Sequence, residues 1–463
     1  MNRLFTALGM LVTLLAGCGP IEGASDIGDP YAPELGNGGY DAQHYTVTVD
    51  YDLPANSLTG TTTMEAIAVQ RLRSFDMDFR GMEIDSVQVN SSPAGFERSG
   101  RELKVIPERP LDRGGLFTVL VNYHGEPGPS ESQFVPFGVG WYQASDGSVN
   151  VMNYPDGAET WFPVNDHQRD KATYDFEVSV PIEWSVLAPG SLVAKSEQAG
   201  QSRFSYAMDQ PMASTSAVLH IDRYEIVSLS PPGGLEAKLY LPQDARPSLK
   251  EEFAVVPAAI DFLSEVFGPY PFESYSVVLA DPWLSICAGN GMANSEQTVA
   301  LHCPTFFATS ELTIVHELAH QWFGNSVNLV TQQDSWLLEG PATYAEWMWS
   351  TREGGLAEID GLARTTEKTY SPKNPIGEPP RDMIVADEAY TGGALLLHAL
   401  RLRIGEDAFF ETLRAFLEEF QFGSALTSDF IEAAEEASEE DLQSFFDAWL
   451  YEVEPPPLPD LVD

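Results

Sequence analysis

The sequence predicts an α+β chain of more than one domain, an antiparallel β domain followed by a mainly helical one. Three observations carry this. Between residues 40 and 226, β-branched and aromatic runs recur, several of them alternating, and Gly, Pro and Asn interrupt them at short intervals. After Pro231-Pro232-Gly233-Gly234 the texture changes, and apolar residues return at helical spacing. At 463 residues, with 43% hydrophobic and 20% charged side chains, the chain has room for two or three domains at about 100–200 residues each.

The elements follow in order. Residues 1–18 read as a leader: Asn2 and Arg3 begin it, and residues 4–16 form an apolar run too short to span a bilayer. It ends in Leu15-Ala16-Gly17-Cys18, which resembles a bacterial lipobox with Cys18 as the lipidated first residue of the mature chain. An ordinary secretory peptide is the alternative. Gly19 and Pro20 stand where an aspartate would resemble an inner-membrane retention signal. The expectation is a bacterial envelope lipoprotein, at the outer membrane or cell surface rather than the inner membrane. Residues 19–38, rich in Gly, Pro and Asp, read as a flexible tether, and 39–230 as the β domain. In 231–451, a strand at 237–241 precedes a helical run at 249–267 stopped by Gly268-Pro269, and a second strand covers 275–280. Helices are predicted at 310–323, 335–353, 355–369, 391–404, 406–420, 427–436 and 439–451. The proline-rich tail, 452–463, is predicted to be extended.

Charge excludes some partners. Twenty-five Lys and Arg against 69 Asp and Glu give −44, a surface that repels nucleic acid and anionic headgroups. Basic substrates or simple solubility both fit it. In the oxidising compartment the leader implies, Cys287 and Cys303 form a candidate disulfide closing a loop of about 15 residues, worth about 3 kcal/mol in the chain-entropy model. Two buried thiols are the alternative.

The chemistry is concentrated in His316-Glu317-Leu318-Ala319-His320. On a helix capped by Ser310, histidines four apart share one face and reach one ion. Glu317 can point at the attacking water without ligating. Glu339, inside Trp336-Leu337-Leu338-Glu339-Gly340, supplies a third ligand. Two His and one Glu leave the fourth tetrahedral position open, the catalytic arrangement for one Zn2+ per chain. Zinc with that water and Glu317 as general base is the equipment of a peptidase.

These residues resemble the aminopeptidase N and leukotriene hydrolase family of gluzincins, in a short bacterial lipoprotein form. His316-Glu-Leu-Ala-His-Gln-Trp-Phe-Gly-Asn325 with Glu339 resembles its zinc signature. Trp161-Phe-Pro-Val-Asn-Asp-His-Gln-Arg-Asp-Lys-Ala-Thr-Tyr174, Phe267-Gly-Pro-Tyr-Pro-Phe272 and Ala389-Tyr390-Thr-Gly-Gly393 resemble further family segments. The resemblance implies a β domain of saddle or sandwich shape, a thermolysin-like, mainly helical zinc catalytic domain, and Tyr390 as oxyanion donor. It implies hydrolysis of peptide or protein substrates, most simply as an aminopeptidase.

Several positions depart from the family pattern. The substrate-binding segment implied by the resemblance is Gly291, Met292, Ala293 and Asn294, with Ala293 where a glutamate would hold the substrate's free amine. Glu296 is the nearest candidate replacement. The β-domain segment that offers a second amine ligand reads Val151-Met152-Asn153-Tyr154-Pro155, with Asp156 and Glu159 as the nearest acids. Endopeptidase-like activity, or a non-catalytic peptide-binding surface lipoprotein, are therefore the alternative expectations. Gly392 replaces a lysine, and Pro341 is expected to bend a helix begun near Asp334. The short stretch after the catalytic domain implies an open cleft.

Overall fold

A computed structural model describes residues 19–230, 232–287 and 292–460. Cys18, the leader and Gly291 lie outside the described residues. The largest sheet has eight strands in the order Ser191–Gln198, Gln201–Met212, Ala172–Pro181, Tyr40–Asp52, Ser57–Ala68, Leu116–Gly125, Glu83–Val89 and Ser92–Pro93. Its alternation is visible along Ser57–Ala68, where Leu58, Met64, Ala66 and Ala68 are fully buried. The sheet is antiparallel except at one pair: Ala172–Pro181 runs parallel to Tyr40–Asp52, with Tyr174 opposite Tyr45 and their rings stacked at 5.1 Å. Such a pairing needs a long crossover, which the intervening strands and sheets supply.

Two expectations for this half need correction. Residues 19–38 are not a free tether. Ile21–Glu22 pairs with Leu72–Asp78, and Ala32, Leu35 and Asn37 are fully buried. Asp29 fixes the segment. Its carboxylate accepts from Nε2 of His167 (3.1 Å), the Thr331 hydroxyl (2.6 Å) and the Gln332 amide (2.9 Å), so it spans both halves of the chain. The strand Tyr224–Ser228, which the sequence assigned to the β domain, pairs with Glu236–Pro242 and belongs to the second sheet.

That second sheet has the order Tyr224–Ser228, Glu236–Pro242, Ser274–Leu279, Val299–His302, Ala293–Glu296. Its three inner strands are mutually parallel and its two edges antiparallel. The helical run at 249–267 is broken into Leu249–Glu252, a 3-10 turn Phe253–Val255, and Val256–Phe267, where Pro257 takes the first turn of the restarted helix. The helices Gly355–Glu367, Glu406–Glu419, Thr427–Ser438 and Gln443–Leu450 lie where periodicity placed them. The tail is extended but docked: Leu458 is buried, and Arg364 donates to the Pro459 carbonyl.

Three local features shape the site. The helix Glu311–Ala319 begins at Ser310, whose hydroxyl accepts from the Thr313 amide. It ends earlier than predicted, because the carbonyls of His320, Gln321 and Trp322 take amides five residues on, from Asn325, Ser326 and Val327. The helix Trp336–Ser350 starts at Trp336 and continues through Pro341, so the proline does not delay its start. It crosses the helix Gly393–Ile404 closely enough that a Cβ on Gly340 would lie 2.9 Å from Cα of Gly393. Gly392 has a similar reason. A side chain there would meet the Tyr370 hydroxyl and lie 2.9 Å from Cγ1 of Ile376, so those side chains would have to shift to admit one.

Candidate active site

His316 and His320 project from one face of the Glu311–Ala319 helix and its C-terminal turn, and Glu339 comes from the first turn of the Trp336–Ser350 helix. Nε2 of His316 lies 3.2 Å and Nε2 of His320 3.4 Å from the same oxygen, Oε2 of Glu339. The tautomers are set from behind. Nδ1 of His316 donates to the Glu346 carboxylate at 2.7 Å, and Nδ1 of His320 donates to the Phe323 carbonyl at 3.0 Å. With Nδ1 engaged behind it, each ring presents its Nε2 to Glu339.

This set fits a zinc ion. Its donor atoms all lie within 4.8 Å of one another. Tetrahedral ligands about 2.0–2.1 Å from zinc stand about 3.3 Å apart, the spacing found here between each histidine and Glu339. The electrostatics agree. Burial disfavours charge on His316, yet Glu339 and Glu346 hold its value well above the ordinary one. Burial pushes the Glu339 carboxyl up, but the two histidines outweigh this and bring it to about 2. A cation is favoured at this point.

Glu317 is buried beside the ligands, and burial raises its carboxyl above the usual range while the flanking histidines oppose that. Tyr390 lies in the π-helical turn Glu388–Gly392, held because the Lys373 and Asn374 amides donate to Glu388. Its ring stacks on His316 at 5.7 Å. Burial, then the carboxylates of Glu339 and Glu317, push its phenol well above 10, so it stays a donor. Glu317 and Tyr390 line one cleft with His316 and Glu339, a cavity of about 610 Å³.

The substrate-binding candidates divide. Met292, Ala293 and Asn294 line the cleft, the last two at the antiparallel edge strand. Glu296 does not reach it. It is 1% exposed, accepts from the Asn294 amide, and burial pushes its carboxyl well above the usual range. Asp156 and Glu159 do not reach it either. They are buried in the β domain, where Arg80 pairs with both and Arg101 with Glu159. Cys287 and Cys303 are bonded, which ties the turn Ser285–Cys287 to the end of Val299–His302.

Two residues escaped the sequence reading. Glu346 follows Glu339 by seven positions, two helical turns, so the pair shares a face and both reach His316. That spacing was a usable signal. Tyr154 is the other. It crosses from the β domain into the cleft wall beside Glu339, and its hydroxyl has no partner among the described residues. No local pattern marks it.

Residues 251–449 match the model of the Peptidase family M1 domain. The chain is similar to human glutamyl aminopeptidase, 24% identical over 447 residues, covering 88% of this chain and 46% of that protein. Aminopeptidase N of Lactococcus lactis is 23% identical over 435 residues, covering 88% and 50% respectively. The chain spans about half the length of these curated relatives. Among solved structures, a mutant M1 zinc metallopeptidase from Deinococcus radiodurans bound to a Tyr-Ser-Ala substrate is 27% identical. The two superpose with a TM-score of 0.84, over 94% of this chain and 100% of that one.

Proposed function

Because residues 251–449 match the model of the Peptidase family M1 domain, we propose that the protein is a zinc-dependent peptidase of aminopeptidase type. The observation that carries this is the convergence of two imidazole Nε2 atoms on one Glu339 oxygen, at 3.2 and 3.4 Å, in a cleft that also holds Glu317 and Tyr390. Zinc, held by His316, His320 and Glu339, would polarise the scissile carbonyl and acidify the attacking water. Glu317 takes the proton of that water and returns it to the leaving nitrogen. Tyr390 donates its phenolic proton in a hydrogen bond to the developing oxyanion. Glu346 and the Phe323 carbonyl keep both imidazoles in the ligating tautomer.

One observation favours endopeptidase-like activity as a second reading. Ala293 and Tyr154 wall the cleft, and Glu296, Asp156 and Glu159 lie elsewhere in pairs or buried. The test compares zinc-loaded protein on peptides with free and with acetylated N termini. Stepwise cleavage of free peptides alone supports the aminopeptidase reading, and equal cleavage of both supports the second. Glu317→Gln should lower either activity by about 10²–10⁴-fold. An unchanged rate would refute the peptidase reading, and no rate in either form would favour a peptide-binding role. Anchoring through Cys18 belongs to the same proposal. Its support is the lipobox-like Leu15-Ala16-Gly17-Cys18. Labelled fatty acid should enter the wild-type chain and not Cys18→Ser.

A further inference from the structure

Tyr390 sits in the middle of a turn that is wider than an α-helix. The Gly393 amide donates to the Glu388 carbonyl, five residues back, so the turn Glu388–Gly392 holds one residue more than a turn of the helix Gly393–Ile404 that follows it. Each residue turns an α-helix by about 100°, so closing the turn to α geometry would swing Tyr390 by about that angle, away from its stack on His316. The turn is held open from both ends. Its far end is fixed by packing: a Cβ on Gly393 would lie 2.8 Å from Cα of Gly340, on the helix that carries Glu339. Its near end is fixed by one carboxylate. Oε1 of Glu388 accepts from the Lys373 amide at 2.8 Å, the Asn374 amide at 3.0 Å and Nδ2 of Asn374 at 3.4 Å.

The segment to which Glu388 is tied is itself anchored away from the cleft. The Gly377 amide donates to the Leu450 carbonyl at 2.8 Å, and Nε2 of Gln333 donates to the Gly377 carbonyl at 2.9 Å. Ile376, between these bonds and Glu388's partners, is buried in the core of the helical half. Glu388 is 5% exposed. Burial raises its carboxyl, but bonds from Lys373, its own backbone and Asn374 outweigh this and hold it below the usual range. The group is therefore charged, and charged acceptors make the stronger hydrogen bonds. It belongs neither to the described cleft wall nor to the metal set. We propose that Glu388 is a positioning residue for catalysis, which holds the Tyr390 hydroxyl where the oxyanion forms without itself touching substrate or metal.

The inference rests on the peptidase reading, and its test separates the two. Peptide cleavage and zinc affinity are measured for the wild type, Glu388→Ala, Tyr390→Phe and the double variant, with thermal midpoints as the check on folding. A misplacement of about 1 Å can cost about 10²-fold, so Glu388→Ala should lower kcat by about 10–100-fold. KM and zinc affinity should stay within about threefold, because Glu388 meets neither cleft nor ligands. In the Tyr390→Phe background the same change should cost less than about threefold, since the hydroxyl that it positions is gone. Glu388→Gln keeps an oxygen acceptor and loses the charge, so it should lower kcat by about 3–10-fold. Should Glu388→Ala melt well below the wild type, Glu388→Gln carries the same cycle. A kcat within about threefold of wild type for the variant that carries the cycle, or an equal loss in both backgrounds, overturns the inference. If the wild type cleaves no peptide, the peptidase reading fails. Hydrogen exchange at the Gly393 amide then decides the positioning by itself: it should quicken in the variant, and unchanged exchange overturns the inference.

Discussion

Glu346 should matter to zinc although it touches only a ligand. Its carboxylate accepts from Nδ1 of His316 at 2.7 Å, and 24% exposure of its side chain leaves the bond partly shielded from water. Glu346→Leu removes both the acceptor and the charge. His316 can then turn its ring or carry its proton on Nε2, the atom that faces Glu339 at 3.2 Å. Loss of such a partner typically costs 10–100-fold in metal affinity, about 1.4–2.7 kcal/mol. Glu346→Gln keeps an oxygen acceptor and loses only the charge, so it should fall between Glu346→Leu and the wild type. The assay is competition for zinc with a calibrated chelator, read alongside peptide cleavage at saturating zinc. Affinity within about threefold of wild type for Glu346→Leu would refute the argument, as would a larger loss for the Gln variant than for the Leu variant.

Other outcomes follow from the same geometry. Tyr390→Phe should lower kcat by about 10²–10³-fold with little change in zinc affinity, because the ring that stacks on His316 remains. Asp29→Ala leaves buried donors of His167, Thr331 and Gln332 unpaired and should cost about 3–5 kcal/mol, read as a lowered midpoint in urea. Burial raises the Asp29 carboxyl, but bonds from His167, Thr331, Gln332 and Tyr31 outweigh it and hold the value near 2. A depressed carboxyl stabilises above its unfolded value of 3.8, and the benefit fades as pH falls toward 2, so the gap between wild type and variant should narrow there. Gly340→Ala puts a methyl 2.9 Å from Cα of Gly393 and should destabilise by about 1–3 kcal/mol; a neutral effect in thermal melts would show that the helices can part freely.

The metal set was legible because its order is local. A spacing of four on one helix brings His316 and His320 together whatever the rest of the fold does, and Glu339 opens the next strongly apolar run. Glu346 was legible by the same rule, at seven residues from Glu339. The segment 19–38 was misread because Gly, Pro and Asp look alike in a free linker and in a strap held at a few points. What separates the two is Asp29 meeting His167 and Thr331, contacts 138 and 302 residues away in sequence. Tyr154 and the sealing of Glu296 were illegible for the same reason. Both depend on how the β domain meets the second sheet, and no period in either segment encodes that.

Exo- and endopeptidase readings can be separated by the range of the force that holds an amine. Zinc brings two positive charges to a site with three carboxylates, Glu317, Glu339 and Glu346, leaving about one net negative charge beside the substrate. A substrate ammonium about 7 Å from that charge gains about 2 kcal/mol at an effective dielectric of 20, some tens of fold. It would do so without a dedicated carboxylate, since Glu296 is buried and bonded to Asn294. Recognition by field is screened by salt, whereas a buried contact is screened much less. The ratio of free to acetylated cleavage should therefore fall several-fold between about 0.01 and 1 M ionic strength. A large ratio that ignores salt would mean that some carboxylate does close on the amine, and that the cleft rearranges when substrate binds.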